Sequence, residues 1–303
     1  MWQPEPGWTP ILAGRGALTA GIWRVVAEDR AWMVKRVRRP GPDEPEYMDP
    51  QGPVYWLREA EVARDHAWLA GLRHPEVLRI DEDDEGYCLW SAEVSGPEPT
   101  ALLSAAALAR LGSVDIPDRP WFAGALFGDR LRMMASHDGW PTLERTNVAD
   151  LAAELWRRRG SVLERYESLP GRLAHGDVVP ANLLAASGDE VIAIDWSNLG
   201  VAPAGADLGY FALSCREDFE VLLGTYLDAP AAKGLDRADV RFAAEAMAVY
   251  TVVARAEWAL GRVAKGEGAL AAKFRHPAVA PHLRALQRHF PQIESLLNPR
   301  RDG

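Results

Sequence analysis

An aspartate at 177, an asparagine at 182 and an aspartate at 195 share one short stretch, LAHGDVVPANLLAASGDEVIAIDW. Asn182 lies five residues past the first carboxylate and Asp195 thirteen past the asparagine. Two strands joined by a tight turn would bring the three side chains together. Two carboxylates and an amide oxygen are hard ligands. They suit Mg²⁺, which is usually held through one or two carboxylates together with the phosphates of a substrate.

A second group points the same way. Lysine occurs only at 35, 233, 265 and 273, against 30 arginines, so Lys35 is the only lysine in the first 232 positions. Its surroundings, AWMVKRV, predict a buried strand. A compact ammonium on a flexible stem reaches a phosphate as a point charge, a task arginine does not take over. Glu59 and Glu61 compete to pair with it. Two residues apart on a helix, they point about 200° apart and cannot both face one site. Helical patterning runs from Trp56 to Leu72, where Leu57, Trp68 and Leu72 make a bulky stripe that includes Glu61. A carboxylate on a buried face needs a partner, so Glu61 is the expected one. Gly14, Gly16 and Gly21 flank a turn whose backbone N–H groups could approach phosphates. By themselves they describe an ordinary hairpin; Lys35 downstream gives them meaning.

The elements that must carry these residues follow from pattern and punctuation. The first ninety residues read as strands around one helix, with turns at Gly14-Arg15-Gly16 and Glu28-Asp29-Arg30. The insert PGPDEPEYMDPQGP is a loop on composition, and VLRIDEDDEGYCLWSAEV is two strands about an acidic turn. From Pro97 the chain turns helical, with ALLSAAALARLG and ADLAAELWRRRGSVLERYESL as helices and LLAASGDEVIAID as a hairpin bearing the site. Three or four further helices follow Asp207. Strand signal stops between Ser91 and Pro97, which sets the expected domains at 1–93 and 94–303. Residues 113–147 show no clean period. The twelve tryptophans are mainly core on base rates, with Trp121 and Trp140 as candidates for the floor of a substrate pocket.

At 303 residues, 48% hydrophobic and 25% charged, the chain is long enough for two domains and a substantial core. A net charge of −9 repels nucleic acid, and the short basic clusters at Arg36–Arg39 and Arg157–Arg159 read as solvated faces. The longest weakly polar stretch, Phe242 to Leu260, is broken by Glu245, Arg255 and Glu257, so no membrane span is expected. MWQPEPGWTP has neither the charge nor the apolar run of a signal peptide, which implies a cytoplasmic protein. Cys88 and Cys215 sit among apolar residues and read as two buried thiols. Nothing in the sequence calls for an obligate protein partner.

The set His175-Gly176-Asp177, Asn182, the strand VIAIDW and Asp207 in GADLGY, with Lys35 far upstream, resembles the aminoglycoside phosphotransferase and choline kinase family. The resemblance implies an α+β, bilobal protein kinase-like fold: a small antiparallel-sheet N-lobe binding nucleotide, and a mainly helical C-lobe for catalysis and substrate. It assigns Asp177 as the base that accepts the proton of the attacking hydroxyl, Asn182 and Asp195 as Mg²⁺ ligands, and Lys35 as the contact to the inner phosphates. His175 would pack and orient the loop, and Asp207 would be a structural carboxylate. The hinge between lobes would fall at Ser91, Glu93 and Val94, whose backbone would hold the base of ATP, with GTP left open. The implied activity is transfer of the γ-phosphoryl group to a small hydroxylated acceptor: an aminoglycoside or other antibiotic, an amino sugar or an amino alcohol. Val178 and Val179 stand where relatives often carry leucine and histidine. The twelve residues from Asp195 to Asp207 cannot hold an activation segment, which argues against a peptide substrate. The alternative is a catalytically silent nucleotide-binding regulator of the same fold, which the presence of Lys35, Asp177, Asn182 and Asp195 together disfavours.

Overall fold

A computed structural model of the chain describes residues 2–13, 16–27, 29–264 and 270–298. They fall into two compact units, Met1–Gly124 with Leu173–Val201, and Ala125–Arg172 with Ala202–Gly303.

The first unit is built on a five-stranded antiparallel sheet of β1 (Thr9–Ala13), β2 (Thr19–Ala27), β3 (Arg30–Arg38), β5 (Val77–Asp83) and β6 (Gly86–Ala92), in the order β1-β2-β3-β6-β5. Alternation along β3 gives the sheet two different faces. Trp32 and Val34 point to one side, packing with Val25, Cys88 and Trp90 under Trp2 and Trp8. Val37 points to the other, packing with Leu18, Tyr87 and Leu89 against Ala60 and Ala63 of helix α1 (Arg58–Arg64). Lys35 shares the parity of Val37, so its side chain leaves the sheet toward that helix.

After the helix, the two-residue β4 (Leu72–Arg73) pairs in parallel with β9 (Glu190–Ala193). β9 in turn pairs antiparallel with β8 (Leu183–Ser187) through a two-residue turn at Gly188-Asp189. Gly188 takes φ +64°, a conformation that costs a glycine little. Helix α2 (Ala101–Leu111) lies between β6 and β8 in sequence and is capped by the Thr100 hydroxyl accepting from Leu103 N–H at 3.1 Å. The short strands β7 (Gly171–Ala174) and β10 (Gly200–Pro203) pair with each other.

The second unit is helical: α3 (Leu126–Ala135), α4 (Ala149–Ser168), α5 (Ala206–Ala212), α6 (Phe219–Asp228), α7 (Arg237–Ala264), α8 (Leu270–Lys273), α9 (Ala280–Arg288) and α10 (Phe290–Leu297). α7 is its axis, with Ala243, Ala244, Ala246, Val249 and Tyr250 fully buried. Small alanines let α5 approach closely: a side chain at Gly209 would collide with the Ala244 carbonyl. Glu257 of α7 accepts from the N–H groups of Thr142 and Leu143 at 2.8–3.0 Å, closing residues 137–148 onto it.

The five-stranded sheet ends in sequence at Ala92, and the site hairpin β8–β9 falls in the same compact unit as that sheet. Cys88 and Cys215 are buried free thiols. Among the described residues no helix is long and apolar enough to cross a membrane. Trp121 packs on Phe122, and Trp140 on Trp156 and Tyr250; both are buried core residues.

Candidate active site

Lys35, Glu59, Asp177, Asn182 and Asp195 all lie in the first unit. Lys35 Nζ donates to Glu59 Oε2 at 2.6 Å and to Asp195 Oδ1 at 3.0 Å. Burial opposes the ammonium, but the charges of Glu59 and Asp195 and the hydrogen bonds to both outweigh it and hold the Lys35 pKa above its ordinary value. Burial also opposes ionisation of Asp195, yet Lys35 brings its pKa below the usual range. Glu59 moves the other way: it is buried, it faces the Asp195 charge as well as Lys35, and its pKa is raised.

The partner of Lys35 is therefore Glu59, and the expectation of Glu61 is corrected. That expectation used Trp68 and Leu72 to define the buried face of one long helix. α1 instead ends at Arg64: Asp65 takes φ −142° and ψ 84°, and Leu72 is in strand β4. On the seven-residue helix that remains, Glu59 and Ala63 share the sheet-facing side one turn apart. Glu61 faces outward and pairs with Arg64 at 3.1 Å.

Asp195 follows β9 in the left-handed region, φ 63° and ψ 57°. Aspartate tolerates this better than most residues, and Asp29 and Asp138 do the same in turns, so the conformation alone marks nothing. Its effect is positional: it breaks the strand and starts the turn Trp196–Asn198, whose Ser197 hydroxyl donates to Asp195 Oδ1 at 3.2 Å.

The segment holding Asp177 is clasped to the end of β9 by His175. The Asp177 amide N–H donates to His175 Nδ1 at 3.3 Å, and His175 Nε2 lies 3.1 Å from the Ile194 carbonyl oxygen. The ring is fully buried against Trp196, 4.6 Å between centroids. Both nitrogens serve the backbone, which is an orienting arrangement. Gly176 is indispensable beside it: at φ +81°, a Cβ here would collide with the Asn198 carbonyl oxygen.

Asn182 Nδ2 donates to the Asp177 carbonyl at 2.9 Å, and the Ile194 N–H donates to the Asn182 carbonyl at 2.9 Å. The hairpin thus sets Asn182 and Asp195 at its open end. The amide is fixed through its nitrogen, so its oxygen would be the atom offered to a cation. Among the described residues no cluster of three or more His, Cys, Asp or Glu is placed to hold a metal. One carboxylate and one amide oxygen fit a Mg²⁺ ion that completes its shell from phosphates and water, not a dedicated protein cage.

A cavity of about 300 Å³ opens beside Lys35, Glu59 and Asp195. Gly16, Leu18 and Ile22 line it from the sheet side, and Tyr47, Val54, Tyr55 and Trp56 from the proline-rich segment before α1. Gly14 lies outside the described residues. Ser91, Glu93 and Val94 do not reach this cavity. Glu93 and Val94 line a second one of about 790 Å³ with His74 and Ile192. The Glu93 N–H is committed to the Ala31 carbonyl at 3.0 Å, and its carboxylate forms a two-point bridge to Arg24. Asp207, in the first turn of α5, belongs to the second unit, where it adds to the burial that raises the pKa values of Tyr166 and Tyr226.

A sheet lysine gripped by a helix glutamate and by the aspartate that ends a hairpin, in a chain whose other compact unit is mainly helical, is the pattern of a protein kinase-like fold. The model of the phosphotransferase enzyme family (APH) matches residues 12–242, and the chain belongs to that family. Solved structures share the fold at low identity. A macrolide 2′-phosphotransferase from Brachybacterium faecium has a TM-score of 0.51 and 19% identity, covering 95% of this chain and 93% of that one. A choline/ethanolamine kinase family protein from Mesorhizobium loti has a TM-score of 0.54 and 17% identity, covering 95% and 94%. An amicoumacin kinase in complex with AMP-PNP, Ca²⁺ and Ami has a TM-score of 0.57 and 13% identity, covering 96% and 89%. A search of curated protein sequences gave no match.

Proposed function

We propose that this protein is a cytoplasmic kinase that transfers the γ-phosphoryl group of ATP, or of GTP in its place, to a hydroxyl of a small acceptor of the aminoglycoside, amino sugar or amino alcohol type. The observation that carries the reading is Lys35 held between Glu59 and Asp195 at 2.6 and 3.0 Å. An ammonium fixed by two carboxylates beside a cavity is a preorganised phosphate contact, and phosphoryl transfer asks mainly for positioned reactants and neutralised charge.

On this reading Lys35 and the backbone around Gly16 hold the phosphates, and Asn182 and Asp195 hold Mg²⁺. The ion would supply charge neutralisation on the outer phosphates. Asp177 takes the proton of the acceptor hydroxyl as its oxygen bonds to the γ-phosphorus and the bond to the β-phosphate oxygen breaks, leaving nucleoside diphosphate. His175 keeps the Asp177 loop in register with the strand that ends at Asp195. The bound AMP-PNP and Ca²⁺ of the amicoumacin kinase support a nucleotide and a divalent ion in this fold.

The test is ADP or GDP release from Mg²⁺-nucleotide with a panel of aminoglycosides, amino sugars and amino alcohols. Asp177→Ala should lower the acceptor-dependent rate by about 10²-fold or more while sparing nucleotide binding. Near-wild-type turnover from that variant would remove Asp177 from the base position.

A further inference from the structure

Arg58 is an arginine at the start of a helix, fully buried. Its guanidinium collects backbone carbonyls from three separate stretches of chain. Nε donates to Trp121 O at 2.6 Å, one terminal nitrogen to Ser197 O at 2.8 Å and Pro53 O at 3.3 Å, and the other to Gly52 O at 2.5 Å and Pro50 O at 2.9 Å. Five donors in a fixed planar fork meet five acceptors, an arrangement that the three donors of a lysine cannot reproduce.

Two of those stretches are the walls of the Lys35 cavity. Pro53 and the Val54-Tyr55-Trp56 run beyond it form one side, and Ser197 and Asn198 form another. Ser197 is also the residue whose hydroxyl bonds Asp195 Oδ1. A chain of contacts therefore runs from the proline-rich segment through Arg58 to the Ser197 carbonyl, and from the Ser197 hydroxyl to Asp195. The next residue, Glu59, holds Lys35, so one turn of helix sets both the lysine and the aspartate loop.

We infer that Arg58 is a positioning residue that fixes the Asp195 loop against the segment 45–57 and so makes that proline-rich segment a working wall of the phosphate pocket. The inference rests on the proposed reading of Asp195 as a Mg²⁺ ligand. Groups that orient a ligand without touching the metal tune its affinity by roughly 10- to 100-fold, so the effect should appear in the metal-dependent part of nucleotide binding.

The experiment titrates a non-hydrolysable ATP analogue into wild type and Arg58→Lys, with Mg²⁺ and with chelator. The expected result is a loss of roughly 10-fold or more in affinity with Mg²⁺ and little change without it. An equal loss in both conditions reduces Arg58 to a structural role and overturns the inference, as does no loss in either. If wild type binds the analogue no better with Mg²⁺, the metal assignment itself fails, and the inference with it. Should Arg58→Lys not fold, amide exchange on wild type decides. The Mg²⁺ analogue should slow exchange in 47–57 together with 195–199, and protection confined to 195–199 overturns the coupling.

Discussion

Replacing Glu59 by glutamine, with Glu61→Gln as its counterpart, separates the two carboxylates by energy. Glu59 sits 2.6 Å from Lys35 Nζ, and the two side chains are 7% and 17% exposed. A buried hydrogen bond between charged groups contributes about 1.5–3 kcal/mol, and stranding a buried charge costs about 3–5 kcal/mol. Lys35 is not stranded here, because Asp195 remains at 3.0 Å. The expected loss for Glu59→Gln is therefore near the lower figure, about 2 kcal/mol. Glu61 bonds Arg64 three residues along the same helix at 29% and 37% exposure, and Glu61→Gln should cost at most about 0.5 kcal/mol. The difference exceeds a factor of about 10 in the folded-to-unfolded ratio. Urea unfolding followed by tryptophan fluorescence reads both, and a double-mutant cycle with Lys35→Met should give coupling to Glu59 and none to Glu61. Equal midpoints for the two variants, or coupling of Lys35 to Glu61, would refute the pairing.

Asp195→Asn should abolish the Mg²⁺-dependent gain in nucleotide affinity, read by calorimetry with and without chelator; a retained gain moves the metal elsewhere. Gly176→Ala must place a side chain at φ +81° against the Asn198 carbonyl, at a cost of about 1–3 kcal/mol in strain, so turnover and melting temperature should fall together, and an unchanged melt contradicts the described loop. His74 is held by burial at a pKa of about 4 against an ordinary 6.5. Between those values the unfolded chain takes up a proton that the folded chain refuses, so stability falls as pH drops from about 6.5 to about 4 and levels off below. Over that span of about 2.5 pH units this is worth at most about 3 kcal/mol. His74→Asn should flatten that part of the urea midpoint against pH, and an unflattened curve contradicts the assignment.

Where local pattern and long-range packing agree, the sequence is legible. The run AWMVKRV marks β3 and puts Lys35 on it; the hydrophobic runs mark β5, β6, α2 and α4; the turn in LLAASGDEVIAID marks the hairpin that brings Asn182 to the strand ending at Asp195. Misreadings come where distant partners decide. α1 stops early because β9 claims Leu72 and Arg73 as a strand and Arg119 holds Asp65, neither of which local periodicity can reveal. α3 goes unread because it starts without a side-chain cap and carries Gly128 inside it. Arg58 leaves no signature at all: its partners are carbonyl oxygens, which every residue type possesses.

The bridge from Lys35 to both Glu59 and Asp195 has a consequence for how two guests arrive. A divalent ion engaging Asp195 draws that carboxylate away from the lysine and releases an N–H for a phosphate; a phosphate engaging Lys35 releases Asp195 for the ion. On the proposed roles each guest therefore tightens the other, by the same factor whichever arrives first. A single lysine with two acidic neighbours would thus give the site positive cooperativity between metal and nucleotide, with no movement of domains required.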